Sequence, residues 1–132
     1  MRWGFIVDIT SVKGSITSVV RKKAQEAAST LNNDENALFR VEITFYQSKN
    51  RYLKDDQEKP REDRGDIDNL VKQVFDGLGP IIGYRSSWTK VDDKVIEKKS
   101  KKPFDSRIIE LFAKKVNSGS SNELVSIEIE TI

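Results

Sequence analysis

The chain contains no cysteine and no histidine. The first absence removes disulfides and thiolate metal sites. The second removes Ser-His-Asp and Cys-His catalysis and every imidazole zinc site. Any metal must then sit on oxygen ligands, which points to Mg²⁺ or Mn²⁺, with Ca²⁺ also admissible. Also lacking is an apolar run long enough to span a membrane. No signal pattern opens the chain, because Met1 and Arg2 lead straight into a strand-like run, so the expectation is a cytoplasmic protein with no membrane partner. Net charge is only +2, so its distribution carries more information than its sum. At 132 residues the chain is expected to form one domain, 1–132, around one core.

What the chain does have is a concentration of acids between Arg64 and Leu78, RGDIDNLVKQVFDGL. If residues 65–68 are extended, Asp66 and Asp68 point to the same side. From Asn69 the period becomes helical, with Leu70, Val71, Val74, Phe75 and Leu78 forming one apolar stripe. Asp68 is the natural N-cap of that helix, and Gly77, Gly79 and Pro80 end it. Lys72 follows Asp68 by four residues and precedes Asp76 by four, so acid, base and acid stack along one face. Singly, these are a cap and a solvated ion pair. Together they suggest more, because placing Asp66 beside Asp68 costs like-charge repulsion that a cation between them removes.

Around this stretch the patterns alternate. Residues 2–9 read as a strand with Trp3, Phe5, Val7 and Ile9 on one side. A helix is expected over 15–31, its stripe made by Ile16, Val19, Val20, Ala24, Ala27, Ala28 and Leu31, with Asn32 and Asn33 in its last turn and Arg21, Lys22 and Lys23 on its solvated face. Residues 38–46 alternate most clearly. Residues 47–65 show no period and read as a loop, either functional or disordered. Residues 80–90 read as a turn-rich connection carrying Tyr84, Arg85, Trp88 and Lys90, types that stack on bases and hold phosphates, although Trp88 also suits a packed position. A strand is expected over 91–99, with Asp92 and Asp93 at its start on opposite faces. Lys98, Lys99, Lys101 and Lys102 form the densest basic patch, suited either to a phosphate backbone or to guarding a strand end, and Lys94 adds to the basic residues around the acids. After Pro103, Asp105 is expected to cap a short helix reaching Asn117. Residues 124–132 close the chain as a strand with Val125, Ile127 and Ile129 facing inward and Glu128 and Glu130 facing outward. The expected fold is α+β, a two-layer sandwich with a mixed sheet and helices packed on one face.

The order Gly65–Asp66–Ile67–Asp68–Asn69–Leu70, then Lys72, then Asp76–Gly77–Leu78, then Asp92–Asp93 with Ile96 resembles the RusA family of Holliday-junction resolvases. The resemblance covers about 38–132; the stretch between Leu78 and Asp92 is longer than the family pattern, and 1–37 is only weakly similar. It implies a RusA-like fold and a homodimer that binds four-way junction DNA and cuts symmetrically opposed phosphodiesters with Mg²⁺, for which Mn²⁺ can substitute. It further implies that Asp66, Asp68 and one of Asp92 and Asp93, with Asp93 favoured, hold the metal. Lys72 would orient the phosphate or stabilise its transition state, and Asp76 also matches. A divalent cation on such acids activates water, and the surrounding lysines and Arg85 offset the acids' repulsion of DNA. Two other readings compete: a junction-binding protein that does not cut, and a protein whose acids hold a structural Ca²⁺. The lysine among the acids and the lack of an EF-hand loop weigh against the last.

Overall fold

The structure, a computed structural model, describes residues 1–28, 36–48 and 66–132, with side chains described there except at 86–89 and 97–101. The expected loop over 47–65 and the expected end of the first helix at Leu31, Asn32 and Asn33 fall outside these residues, apart from Gln47 and Ser48. The elements in chain order are β1 (Arg2–Asp8), α1 (Thr17–Ala28), β2 (Phe39–Gln47), α2 (Ile67–Gly77), the four-residue α3 (Gly79–Ile82), β3 (Tyr84–Val91), β4 (Lys94–Pro103), a 3-10 turn (Asp105–Arg107), β5 (Ile108–Asn117) and β6 (Leu124–Thr131).

Four strands form a mixed sheet in the order β1-β6-β2-β5. The last strand of the chain, β6, lies between β1 and β2 and is antiparallel to both, whereas β5 is parallel to β2. Alternation decides the two faces. Phe39, Val41, Ile43 and Phe45 of β2 and Val125, Ile127 and Ile129 of β6 point inward and are buried. They share one core with Ile16, just before α1, with Val20 and Ala24 of α1 and with Leu70 and Val74 of α2. The helices therefore cover one face of the sheet. The other face carries Arg2, Arg40, Glu42, Glu128 and Glu130 around a shallow charged depression. The molecule is thus an α+β fold with a mixed sheet, as the alternation and stripes predict, and has three helices among the described residues.

Three expectations fail. Residues 105–117 form no α-helix: after the 3-10 turn they run as strand β5 beside β2. An apolar run as short as Ile108 to Phe112 satisfies helix and strand periods alike, and the parallel partner β2 decides between them. Residues 80–90 are not a turn-rich connection but α3 followed by β3. Asp92 and Asp93 do not begin a strand. They are the two-residue turn between β3 and β4, both with left-handed backbone, φ 50° and 62°. Such turns match the twist of paired strands, and aspartate is among the few residues that tolerate the conformation. The true order is therefore strand, helix, strand, two helices and four strands.

Candidate functional site

Helix α2 positions the acids. Its first backbone bond runs from the Leu70 amide to the Asp66 carbonyl at 3.0 Å, so the helix begins at Ile67 and Asp66 stands at the N-cap. This corrects the expectation that Asp68 caps it. Asp66 has the extended backbone of a cap, φ −75° and ψ 164°, yet its side chain makes no capping bond. Asp68 is the second helical residue, and its Oδ1 accepts a hydrogen bond from the Asn69 amide at 3.0 Å. Both carboxylates are exposed. They flank the positive end of the helix dipole, which offsets part of their mutual repulsion before any cation is considered.

Lys72 and Asp76 are exposed one and two turns further on. Among the described residues no ion pair engages either, so the expected acid-base-acid stack is a matter of spacing rather than of formed pairs. The helix itself is firmly held. Leu70 and Val74 are buried against the core, and Gln73 bridges to α1: its Oε1 accepts from the Ile16 amide at 3.1 Å, and its carbonyl accepts from the Thr17 hydroxyl at 3.0 Å. Arg21, from the basic run of α1, donates to the Asp76 carbonyl at 3.3 Å. Gln73 and Arg21 thus fix the frame that carries Asp66, Asp68 and Lys72. Only Gln73's place between Lys72 and Val74, on a helix already inferred, hinted at such a role.

The β3–β4 hairpin holds the other expected site residues. Its base is anchored where the Phe104 amide donates to the Gly83 carbonyl at 2.8 Å and Arg107 Nη1 donates to the Ile82 carbonyl at 3.2 Å. Arg85 forms an ion pair with Asp105, so its guanidinium already has a partner. At the tip, Asp93 is 98% exposed and lies 3.7 Å from Lys90 Nζ. Lys94 and Lys102 are exposed, and Lys98, Lys99 and Lys101 take register positions along β4, Lys98 opposite Ser87 and Lys99 opposite Ser86. Trp88 lies opposite Glu97. Among the described residues, no three carboxylates come together in a metal-holding group. The two acids at the start of α2 and the two acids of the hairpin turn are therefore not gathered into one such group. No protein-family model matches the chain, and no curated protein matches it significantly. No helix among the described residues is long and apolar enough to cross a membrane.

Proposed function

We propose that the chain is a metal-dependent endodeoxyribonuclease that resolves four-way DNA junctions by paired cleavage as a homodimer. The observation that carries this reading is the N-terminal turn of α2: two exposed carboxylates, Asp66 with no capping bond to satisfy, and an exposed lysine one turn away. A stability role accounts poorly for this arrangement, because the capping position is filled without the capping bond being made. The order of these residues, which resembles that of the RusA resolvases, supplies the substrate class.

The donor set suits the metal. Mg²⁺ takes one or two carboxylates and completes its shell with water and substrate phosphate oxygens. Asp66 and Asp68 would hold it, with Asp93 or Asp92 as the further ligand that the resemblance implies. When bound, the ion supplies an activated water and neutralises phosphate charge. Lys72 places a positive charge beside the same phosphate, where it stabilises charge that grows on the oxygens. Lys94, Lys98, Lys99, Lys101 and Lys102, all in the β4 sequence, would give the duplex arms positive charge. The position of Asp92 and Asp93 in a turn favours a second reading, a junction-binding protein that does not cut.

The two readings separate on a labelled four-way junction and a linear duplex, each incubated with Mg²⁺, Mn²⁺ or EDTA. Paired nicks on the junction alone, lost in EDTA, support the nuclease. Tight junction binding without nicks in either metal supports the binding protein.

A further inference from the structure

The four-stranded sheet ends on β5, and among the described residues no strand pairs with its outer edge. The strand is ten residues long. Ile109, Leu111 and Phe112 on it are 54%, 47% and 60% exposed. A long edge of this kind offers unpaired backbone donors and acceptors next to apolar side chains, which is a template for another strand.

The sequence of β5 indicates which strand fits. Paired antiparallel with a second copy of itself and centred on Phe112, it sets Glu110 opposite Lys114 of the second copy and Lys114 opposite that copy's Glu110. Leu111 then meets Ala113, Ile108 meets Val116, and the two Phe112 rings face each other. Glu110 and Lys114 are both exposed. Lys115 faces Ile109 in this register, and the Glu110–Lys114 pair is formed twice, as a two-fold interface requires. Because side chains alternate, this register also puts the helices of both copies on the same side of the joined sheet. The other edge, β1, is shorter at seven residues, and its charges are held more closely within the chain than Glu110 is by Arg40 at 3.5 Å. Arg2 pairs with Glu128 at 2.8 Å. Asp8 accepts from the Thr10 hydroxyl and amide at 2.7 and 2.9 Å, bonds that hold its carboxyl below the usual carboxylate range.

We infer that β5 is the surface through which two copies of this chain join, edge to edge, into one continuous sheet. The inference deepens the proposed function, since paired cuts need two acid clusters, and it rests on that reading for its purpose only. Sedimentation equilibrium tests it on the wild type, E110K, K114E, an equal mixture of these two variants, and I6K on the opposite edge. The wild type is expected to be a dimer. Each charge reversal turns two attractive cross-strand pairs into repulsive ones and weakens the dimer at least about tenfold. The mixture restores it as a heterodimer, and I6K leaves it unchanged. Circular dichroism checks that every variant is folded; the exposed Arg40–Glu110 pair lost in E110K, at 3.5 Å, contributes little to stability. A monomeric wild type overturns the inference and turns attention to a strand from a different protein. So does a dimer that the reversals weaken no more than I6K does, or a mixture that fails to recover. A dimer with this charge rule that cuts no junction keeps the interface and refutes the nuclease; a monomer that nicks junctions does the reverse.

Discussion

At the scale of single residues, Asp66, Asp68 and Lys72 differ in what each could be doing for the fold, and that difference makes them testable. Asp68 accepts one local hydrogen bond from Asn69, which asparagine can also accept. Asp68→Asn is therefore expected to change stability by less than about 1 kcal/mol, while cleavage falls by at least about a hundredfold and junction binding is kept or tightened. Undiminished cutting in this variant would show that Asp68 holds no metal. Lys72 is exposed and contributes nothing to the core, so Lys72→Ala is expected to lower kcat by about ten- to a thousandfold with a smaller change in junction affinity. An effect on affinity alone would make it an ordinary phosphate contact. The sequence made these residues visible because acids and a lysine at helical spacing next to an apolar stripe are unusual. It did not reveal which aspartate stands at the cap. A cap is defined by backbone conformation, and both Asp66 and Asp68 satisfy the composition rule.

At the scale of elements, α1 and α2 approach closely at Gly77. A Cβ there would lie 2.7 Å from Val20 Cγ1 and 2.9 Å from the Thr17 carbonyl oxygen. Gly77→Ala is accordingly expected to destabilise the fold by ~1–3 kcal/mol despite alanine's higher helix propensity, measured by urea unfolding, because the backbone oxygen cannot move aside. The hairpin turn provides a sharper test. Asp93→Gly suits the left-handed backbone at φ 62° and is expected to hold or raise stability by up to ~1 kcal/mol in the same assay. Lost cleavage in this well-folded variant would then report the carboxylate itself, and retained cleavage would give Asp93 a turn role only. The elements legible in the sequence were those with a clean period: β1, β2, β6 and α2, each with one face buried. Of the hairpin, β4 was legible in part as the strand expected over 91–99, whereas β3 was hidden because among the described residues it pairs only with β4, which leaves no alternation for a core to impose. β5 was hidden because it is an edge strand, with Leu111 and Phe112 exposed on opposite faces. The bond from the Thr17 hydroxyl to the Gln73 carbonyl joins residues far apart in the chain, so no local pattern announces it.

At the scale of the whole molecule, β6, the strand that follows β5, fills the middle of the sheet between β1 and β2. Val125, Ile127 and Ile129 of this strand are fully buried and share one core with Leu70 and Val74 of α2. The sheet thereby fixes where the acids of α2 stand. The edge of β5, unpaired among the described residues, is where the inferred second copy would join, and β4 of the hairpin carries the lysines in its sequence. On the proposed reading, the two carboxylates would hold a metal, the lysine would face a phosphate, and a dimer through β5 would present both twice to a branched substrate. The most direct test of that account is cleavage of a symmetric four-way junction by the wild type and by Asp68→Asn, in Mg²⁺ and in EDTA, with junction binding measured in parallel. The account predicts paired nicks on opposed strands by the wild type in Mg²⁺ only, and an Asp68→Asn variant that binds but does not cut. Cleavage that survives EDTA, or equal cutting by both proteins, would contradict it.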